Sequence, residues 1–102
     1  MARRRPTKTV RLDNYRIAVR RAEELEREEL AEIELERRRA RDEFEAAMDA
    51  ADLIPDDAAR SAAMDEALAA GNRADLERFL AVEAVKARKL ERIAAAAKEH
   101  LS

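Results

Sequence analysis

The sequence predicts an all-α fold, a long antiparallel helical hairpin of the coiled-coil type. The 102 residues include only one Gly and two Pro, too few for the tight turns that a sheet protein of this size needs. Charged residues make up 43% of the chain, and apolar residues recur at steps of three and four, a pattern typical of long amphipathic helices. Ala, Glu, Arg and Leu, all strong helix formers, dominate the composition.

The first twelve residues are predicted to form a basic extended arm outside the hairpin. Pro6 disfavours helix in the residue before it, and the Thr and Val residues that follow favour extended backbone. The segment has no acidic residue, and its cations are Arg3, Arg4, Arg5, Lys8 and Arg11. We expect this arm to engage an anionic partner, either nucleic acid or an acidic groove of another protein.

The hairpin is predicted over residues 13–102, and its outgoing helix over about 13–52. Asp13 or Asn14 can cap the first turn of that helix, because either side chain accepts from its free N–H groups. Pro55 cannot continue the helical hydrogen bonding, so it ends the first helix and reverses the chain. A short connection at this point favours antiparallel neighbours.

The return arm is predicted to consist of two helices, over about 57–70 and 73–101. Asp56 or Asp57 can cap the first of them. Gly71, the only glycine, is expected to break the arm, because helices commonly end at a left-handed glycine. Asn72 is then placed to cap the last helix.

One apolar stripe on each arm is predicted to form the helix seam. The chain has only 22 Leu, Ile, Val, Phe and Met residues after Met1, so along two extended arms they make a seam that a protein partner or a second copy is expected to complete. The predicted seam residues are Tyr15, Val19, Ala22, Leu30, Ile33, Phe44 and Met48 on the outgoing arm and Leu76, Phe79, Leu80, Leu90, Ala94 and Ala97 on the return arm.

The charge distribution supports the same hairpin. Residues 23–36 hold eight Glu and one Arg, whereas residues 73–92 hold six Arg and Lys. Reversal at Pro55 places the acidic stretch opposite roughly 75–88. Each exposed ion pair contributes on the order of 0.2–1 kcal/mol, so together the pairs select orientation and register more than they add stability.

A segment near the N-terminus, "TKTVRLDNYRIAVRRAEEL" (7–25), resembles the opening of ribbon-helix-helix DNA-binding proteins. The resemblance implies a basic strand that pairs with its twin in a dimer and reads the major groove. It would place Val10 and Leu12 in the core and Thr7, Thr9 and Arg11 against DNA, with residues 3–5 on phosphates. The family's turn and second short helix are missing here, because the helical pattern continues through "EREELAEIELE".

No residue pattern indicates an enzyme, a cofactor or a metal site. The chain has one histidine, His100, and no cysteine, so neither a His-containing di-iron motif nor a thiolate zinc site is expected. No apolar run approaches the ~18 residues of a membrane span. We therefore expect no small-molecule substrate, no membrane insertion, and a cytoplasmic location or an intracellular one before assembly.

The function predicted from these features is that of a non-enzymatic structural or interaction protein. It would be a small accessory subunit of a larger assembly, such as a virion or a mobile-element complex. Docking would use the apolar seam, with the arginine-rich arm on an anionic partner. The alternative is a dimeric DNA-binding regulator of the ribbon-helix type.

Overall fold

A computed structural model of the chain describes residues 6–102 and confirms the all-α helical hairpin. Helix α1 spans Lys8–Asp52 and helix α2 spans Asp57–His100. Within residues 6–102 there is no strand. The prediction of two arms joined near Pro55 is therefore correct, but two of the predicted helix boundaries are wrong.

The first wrong boundary is the start of α1, which begins at Lys8 rather than at residue 13. Thr7 is the N-cap, because its Oγ1 accepts a hydrogen bond from the Val10 N–H at 3.3 Å. The Thr7 carbonyl also accepts from the Arg11 N–H at 2.9 Å. A hydroxyl that satisfies a free N–H of the first turn stabilises a helix start. Residues 8–12, predicted to be extended, are consequently helical.

The connection between the helices follows the prediction. Asp56 caps α2, and its Oδ2 accepts from the Ala59 N–H at 2.8 Å. The Arg60 guanidinium donates to the Ile54 carbonyl at 3.1 Å, which ties the first turn of α2 to the connection. Pro55 lies between these anchored residues, where the missing N–H of proline leaves no helical hydrogen bond broken.

The second wrong boundary is the predicted break at Gly71, because α2 passes through this residue without interruption. Gly71 does not have a positive φ, so it does not serve as a left-handed cap, and Asn72 starts no new helix. Gly71 instead allows the two helices to approach each other closely. A Cβ on Gly71 would lie 3.3 Å from Cδ2 of Phe44. The missing side chain lets the aromatic ring of α1 rest against the α2 backbone.

Replacing Gly71 with alanine is expected to raise the free energy of unfolding by about 0.5–1 kcal/mol, the gain of alanine over glycine inside a helix. Phe44 is half-buried and borders surface grooves, so its ring can retreat by the few tenths of an ångström required. Urea denaturation measures the change. Ala69→Gly, at an exposed site of α2, measures how much the free energy of unfolding changes from helix propensity alone. A less stable Gly71→Ala protein would show that the Phe44 ring is held in place.

The helices form two compact units, each with residues from both helices. The turn unit comprises Ala31–Glu83, and the terminal unit comprises residues 6–30 and 84–102. In the turn unit the buried apolar residues are Ala51 and Ala67, and in the terminal unit they are Ala22, Val85 and Ala96. Across the described residues no polar or charged residue is buried. Small side chains therefore supply the buried contacts in both units.

Candidate interaction surfaces

The terminal unit contains an ion cluster that joins the two helices. Arg88 donates to the Glu29 carboxylate through Nε at 2.9 Å and also through Nη2. Arg92 donates to the same carboxylate at 2.9 Å. One turn earlier on α1, Lys89 donates to Glu26 at 3.2 Å. The predicted attraction between the acidic stretch and the basic return arm is confirmed here, but the partners lie four to ten residues further along α2 than expected.

The geometry of this cluster changes the titration of its central carboxylate. Hydrogen bonds from Arg88 and Arg92, with their positive charges, hold the pKa of Glu29 below its ordinary value of 4.5. Glu34, in the turn unit, also has a lowered pKa because Arg37 of the same helix donates to it at 2.6 and 2.9 Å. Glu29 accepts hydrogen bonds from residues far away in the sequence, whereas the positive charge of Arg78 on α2 makes only a minor contribution to the lowered pKa of Glu34. Ionisation of Glu29 therefore contributes to packing between the helices.

Acidification is expected to weaken the terminal unit through Glu29. Because its folded pKa lies below 4.5, the stabilisation is fully present above that pH and is lost as the pH falls through the folded value. Glu29→Gln should lower the melting temperature at neutral pH, and the difference from the original protein should shrink as the pH approaches ~3. Thermal melts followed by circular dichroism across this pH range measure both effects.

The matched control is Glu36→Gln, which removes a carboxylate at an exposed position of α1. Its melting temperature should stay close to that of the original chain at neutral pH. If Glu29→Gln and Glu36→Gln shift the melt equally at every pH, the ion cluster has no special part in stability.

The α1 residues predicted for the helix seam lie on the side of that helix that packs against α2. Within the terminal unit Ala22 is buried, and the other predicted seam positions are half-buried. Within the turn unit the predicted positions are also half-buried. The half-buried residues are Tyr15, Val19 and Leu30 in the first unit and Ile33, Phe44 and Met48 in the second. Every predicted seam position of α1 is therefore at least partly buried.

The predicted seam residues of α2 are mostly on the opposite side of that helix. In the turn unit Leu76, Phe79 and Leu80 are 59%, 60% and 57% exposed. In the terminal unit Leu90 is 66% exposed and Ala94 is exposed, whereas Ala97 is half-buried. The first five are therefore exposed rather than buried between the helices. We refer to the three exposed residues of the turn unit, Leu76, Phe79 and Leu80, as the outer face of α2.

Two constraints give α2 this rotation about its axis. In the terminal unit Arg88 and Arg92 must point at Glu29, and helical spacing places Val85 and Ala96 on the same side as these cations. In the turn unit the Phe44 ring lies against α2 at Gly71, where no side chain projects. The residues that meet α1 are thus small or cationic, and the larger apolar side chains are left outside. The side of α2 that meets α1 could have been recognised in the sequence, because cations recur there with Ala and Val at helical spacing.

The predicted basic arm is only partly described. Arg3, Arg4 and Arg5 lie outside residues 6–102. Lys8 and Arg11 fall in the first turns of α1, with Lys8 exposed and Arg11 half-buried. The first turn of α1 has no acidic residue to complement the positive end of the helix dipole. Positive charge is therefore concentrated at this helix start.

The grooves of the turn unit are open and lined by Ala, Gly and Phe with arginines such as Arg37 and Arg78. Among residues 6–102, no three His, Cys, Asp or Glu side chains are grouped so that they could hold a metal ion. In the same part of the chain, neither helix combines the length and apolar character required to cross a membrane.

A comparison of the chain with protein-family models, with curated proteins and with solved structures finds no match. The resemblance of residues 7–25 to ribbon-helix-helix proteins is therefore not tested by any relative, and it stays a prediction.

Proposed function

We propose that the chain is a non-enzymatic interaction protein, a small helical subunit that docks into a larger assembly through the outer face of α2. The observation that supports this proposal most strongly is that small apolar side chains are buried whereas several large ones are exposed. The buried positions of the described chain are four alanines and one valine, whereas Leu76, Phe79, Leu80 and Leu90 are more than half exposed. Contiguous exposed apolar residues mark interaction sites on soluble proteins.

Charge supports the same proposal at the edges of this face. The large residues of the outer face lie among charged side chains such as Asp75 and Glu77, which are exposed. An apolar centre with a polar rim is the usual composition of a docking surface. Burial of leucine and phenylalanine side chains supplies most of the free energy in such interfaces.

The N-terminal cations supply a second contact in this proposal. Arg3, Arg4, Arg5, Lys8 and Arg11 would bind an anionic surface of the assembly, either nucleic acid or an acidic protein groove. Contacts between cations and phosphates release counterions and therefore weaken as the salt concentration rises. A virion or a mobile-element complex would provide surfaces of both kinds.

The docking surface is tested with the triple variant Leu76→Ser, Phe79→Ser and Leu80→Ser. The tagged chain is produced in its native host, and the lysate is fractionated by sedimentation. The original protein should sediment in complexes larger than two copies of itself, and the triple variant should not. Leu35→Ser, which changes an exposed apolar residue of α1, is the matched control and should sediment like the original. Sedimentation of every form as one or two copies would refute the proposal.

The arm is tested separately by binding to a DNA duplex and to heparin in a salt series. Replacement of residues 3–5 with alanine should weaken both interactions and reduce the salt dependence by about one unit for each phosphate that is no longer bound. Strong preference for one DNA sequence, abolished by removing residues 1–12, would favour the ribbon-helix-type regulator instead. Equal binding with and without the arginines would show that the arm does not bind the anionic partner, and that part of the proposed function would be wrong.

A further inference from the structure

A fourth exposed apolar residue of the turn unit continues the outer face of α2 towards the connection. Leu68 is exposed, and it lies eight residues before Leu76, about two helical turns, so helical spacing places it on the same side. We call Leu68 and the outer face together the apolar strip. Its two ends, Leu68 and Leu80, lie about 18 Å apart along the helix at ~1.5 Å per residue, which a partner helix of about 12 residues covers.

Acidic side chains outnumber cations around the apolar strip. The α2 segment of the turn unit, residues 57–83, contains six Asp and Glu but only three Arg. Arg60 and Arg78 each bind an aspartate three residues earlier on the same helix, so their charges are already matched. Asp65 and Glu66, at the end of the strip nearest the connection, are exposed and make no ion pair in the described part of the chain. The surroundings of the strip are therefore negative.

We propose that the apolar strip binds an amphipathic helix of another protein, one whose apolar side chains are flanked by lysine and arginine. The proposal rests on the proposed function, because it names the chemistry of the partner that docks at the outer face of α2. The apolar side chains of that helix would pack on the leucines and the phenylalanine of the strip, and its cations would bind Asp65 and Glu66.

Charge selects a basic partner over a second copy of the chain. The turn unit, residues 31–83, has fifteen Asp and Glu against seven Arg, a net charge of −8. Two copies of the strip facing each other would bring like charges together, which is unfavourable at an interface. The phosphates of nucleic acid and of anionic membranes are repelled for the same reason. A helix that carries cations beside its apolar residues gains from the strip and from its surroundings.

Backbone chemistry selects a helical partner over an extended one. The strip lies inside α2, which is helical throughout Asp57–His100, so its N–H and C=O groups are bonded within the helix. It offers no sheet edge to which an extended peptide could add. Side chains at steps of three and four form ridges, and the ridges of a second helix pack between them. The partner is therefore recognised by apolar residues that recur at the same steps.

Three synthetic peptides of about 14 residues test the chemistry of the partner. The first alternates leucine and lysine at helical spacing, the second replaces every lysine with glutamate, and the third contains lysine alone. The leucine-lysine peptide should bind the purified chain, and the other two should bind at least about tenfold more weakly. Fluorescence anisotropy of labelled peptides measures the dissociation constants. Equal binding of the leucine-glutamate peptide, or of the lysine peptide, would overturn the proposal.

Two variants test the position of the bound helix. The triple serine variant of the outer face should lose binding of the leucine-lysine peptide. Asp65→Asn combined with Glu66→Gln leaves the apolar side chains in place and should raise the dissociation constant about fivefold, with a weaker dependence on salt. Circular dichroism verifies that both variants keep their helices.

The matched control for charge is Asp42→Asn combined with Glu32→Gln. It makes the same change of net charge at exposed positions of α1 in the same unit, and it should bind the leucine-lysine peptide like the original chain. If the two neutralised proteins lose binding equally, the peptide responds to net charge alone and the strip is not its site.

Failure of this inference is distinguishable from failure of the proposed function. If the triple serine variant fails to enter the large complexes of the host but the original chain does not bind the leucine-lysine peptide, the docking function stands and the basic helix is refuted. Sedimentation equilibrium that shows a dimer lost in the triple serine variant would refute it too, since a second copy then covers the strip. If the peptide binds as proposed but no larger complex exists in the host, the recognition of basic helices stands and the accessory-subunit function falls.

Discussion

Replacing Val85 with alanine is expected to lower the free energy of unfolding by about 2 kcal/mol, the largest effect of any conservative truncation in the terminal unit. Val85 is 1% exposed and is the largest fully buried side chain of the described chain. Its neighbours along α2 on the same side, Arg88 and Lys89, bind carboxylates of α1, so Val85 lies where the helices pack. Removal of its two methyl groups leaves a cavity that backbones held by these ion pairs cannot easily close.

The control for Val85 is Ile17→Ala in the same unit. Ile17 is 62% exposed, so the substitution removes more carbon from the side chain but little from the packed interface. Its effect on stability should stay within about 0.5 kcal/mol, as for surface substitutions in general. Urea denaturation of both variants measures the difference. Equal destabilisation by the two variants would show that Val85 is not buried in solution.

Replacing Ala67 with leucine is expected to destabilise the turn unit by about 1–3 kcal/mol, the usual cost of adding carbon to a close-packed site. Ala67 is 7% exposed, and it borders the same groove as Phe44 and Ala47 of α1. Leucine is a good helix former, so any decrease in stability arises from steric conflict between the helices rather than from α2 itself.

Ala46→Leu is the matched control for Ala67, because it makes the same chemical change at an exposed position of α1 in the same unit. It should leave the midpoint of thermal unfolding almost unchanged. Stabilisation of the chain by Ala67→Leu would mean that the helices of the turn unit have room between them, and the close packing inferred from Gly71 and Phe44 would be wrong.

Much of this fold follows from local chemistry that can be read in the sequence. Pro55 and Asp56 define the connection, because one lacks an N–H and the other caps the next helix. The start of α1 was also encoded locally, in the Thr7 hydroxyl, but two plausible caps at Asp13 and Asn14 obscured it. The predicted break at Gly71 failed for a different reason. A glycine can end a helix or permit close approach, and only the position of Phe44 distinguishes the two roles.

The sequence by itself determined the helical class, the reversal at Pro55 and the attraction between the acidic and basic arms. These depend on backbone propensity, periodicity and charge, which act within a helix or between whole segments. Only the tertiary structure decided which side of α2 meets α1. That helix carries small residues on one side and large apolar residues on another, and periodicity assigns no preference between them. The preference comes from the partner helix, where the Phe44 ring packs against Gly71 and the Glu29 carboxylate accepts hydrogen bonds from two arginines.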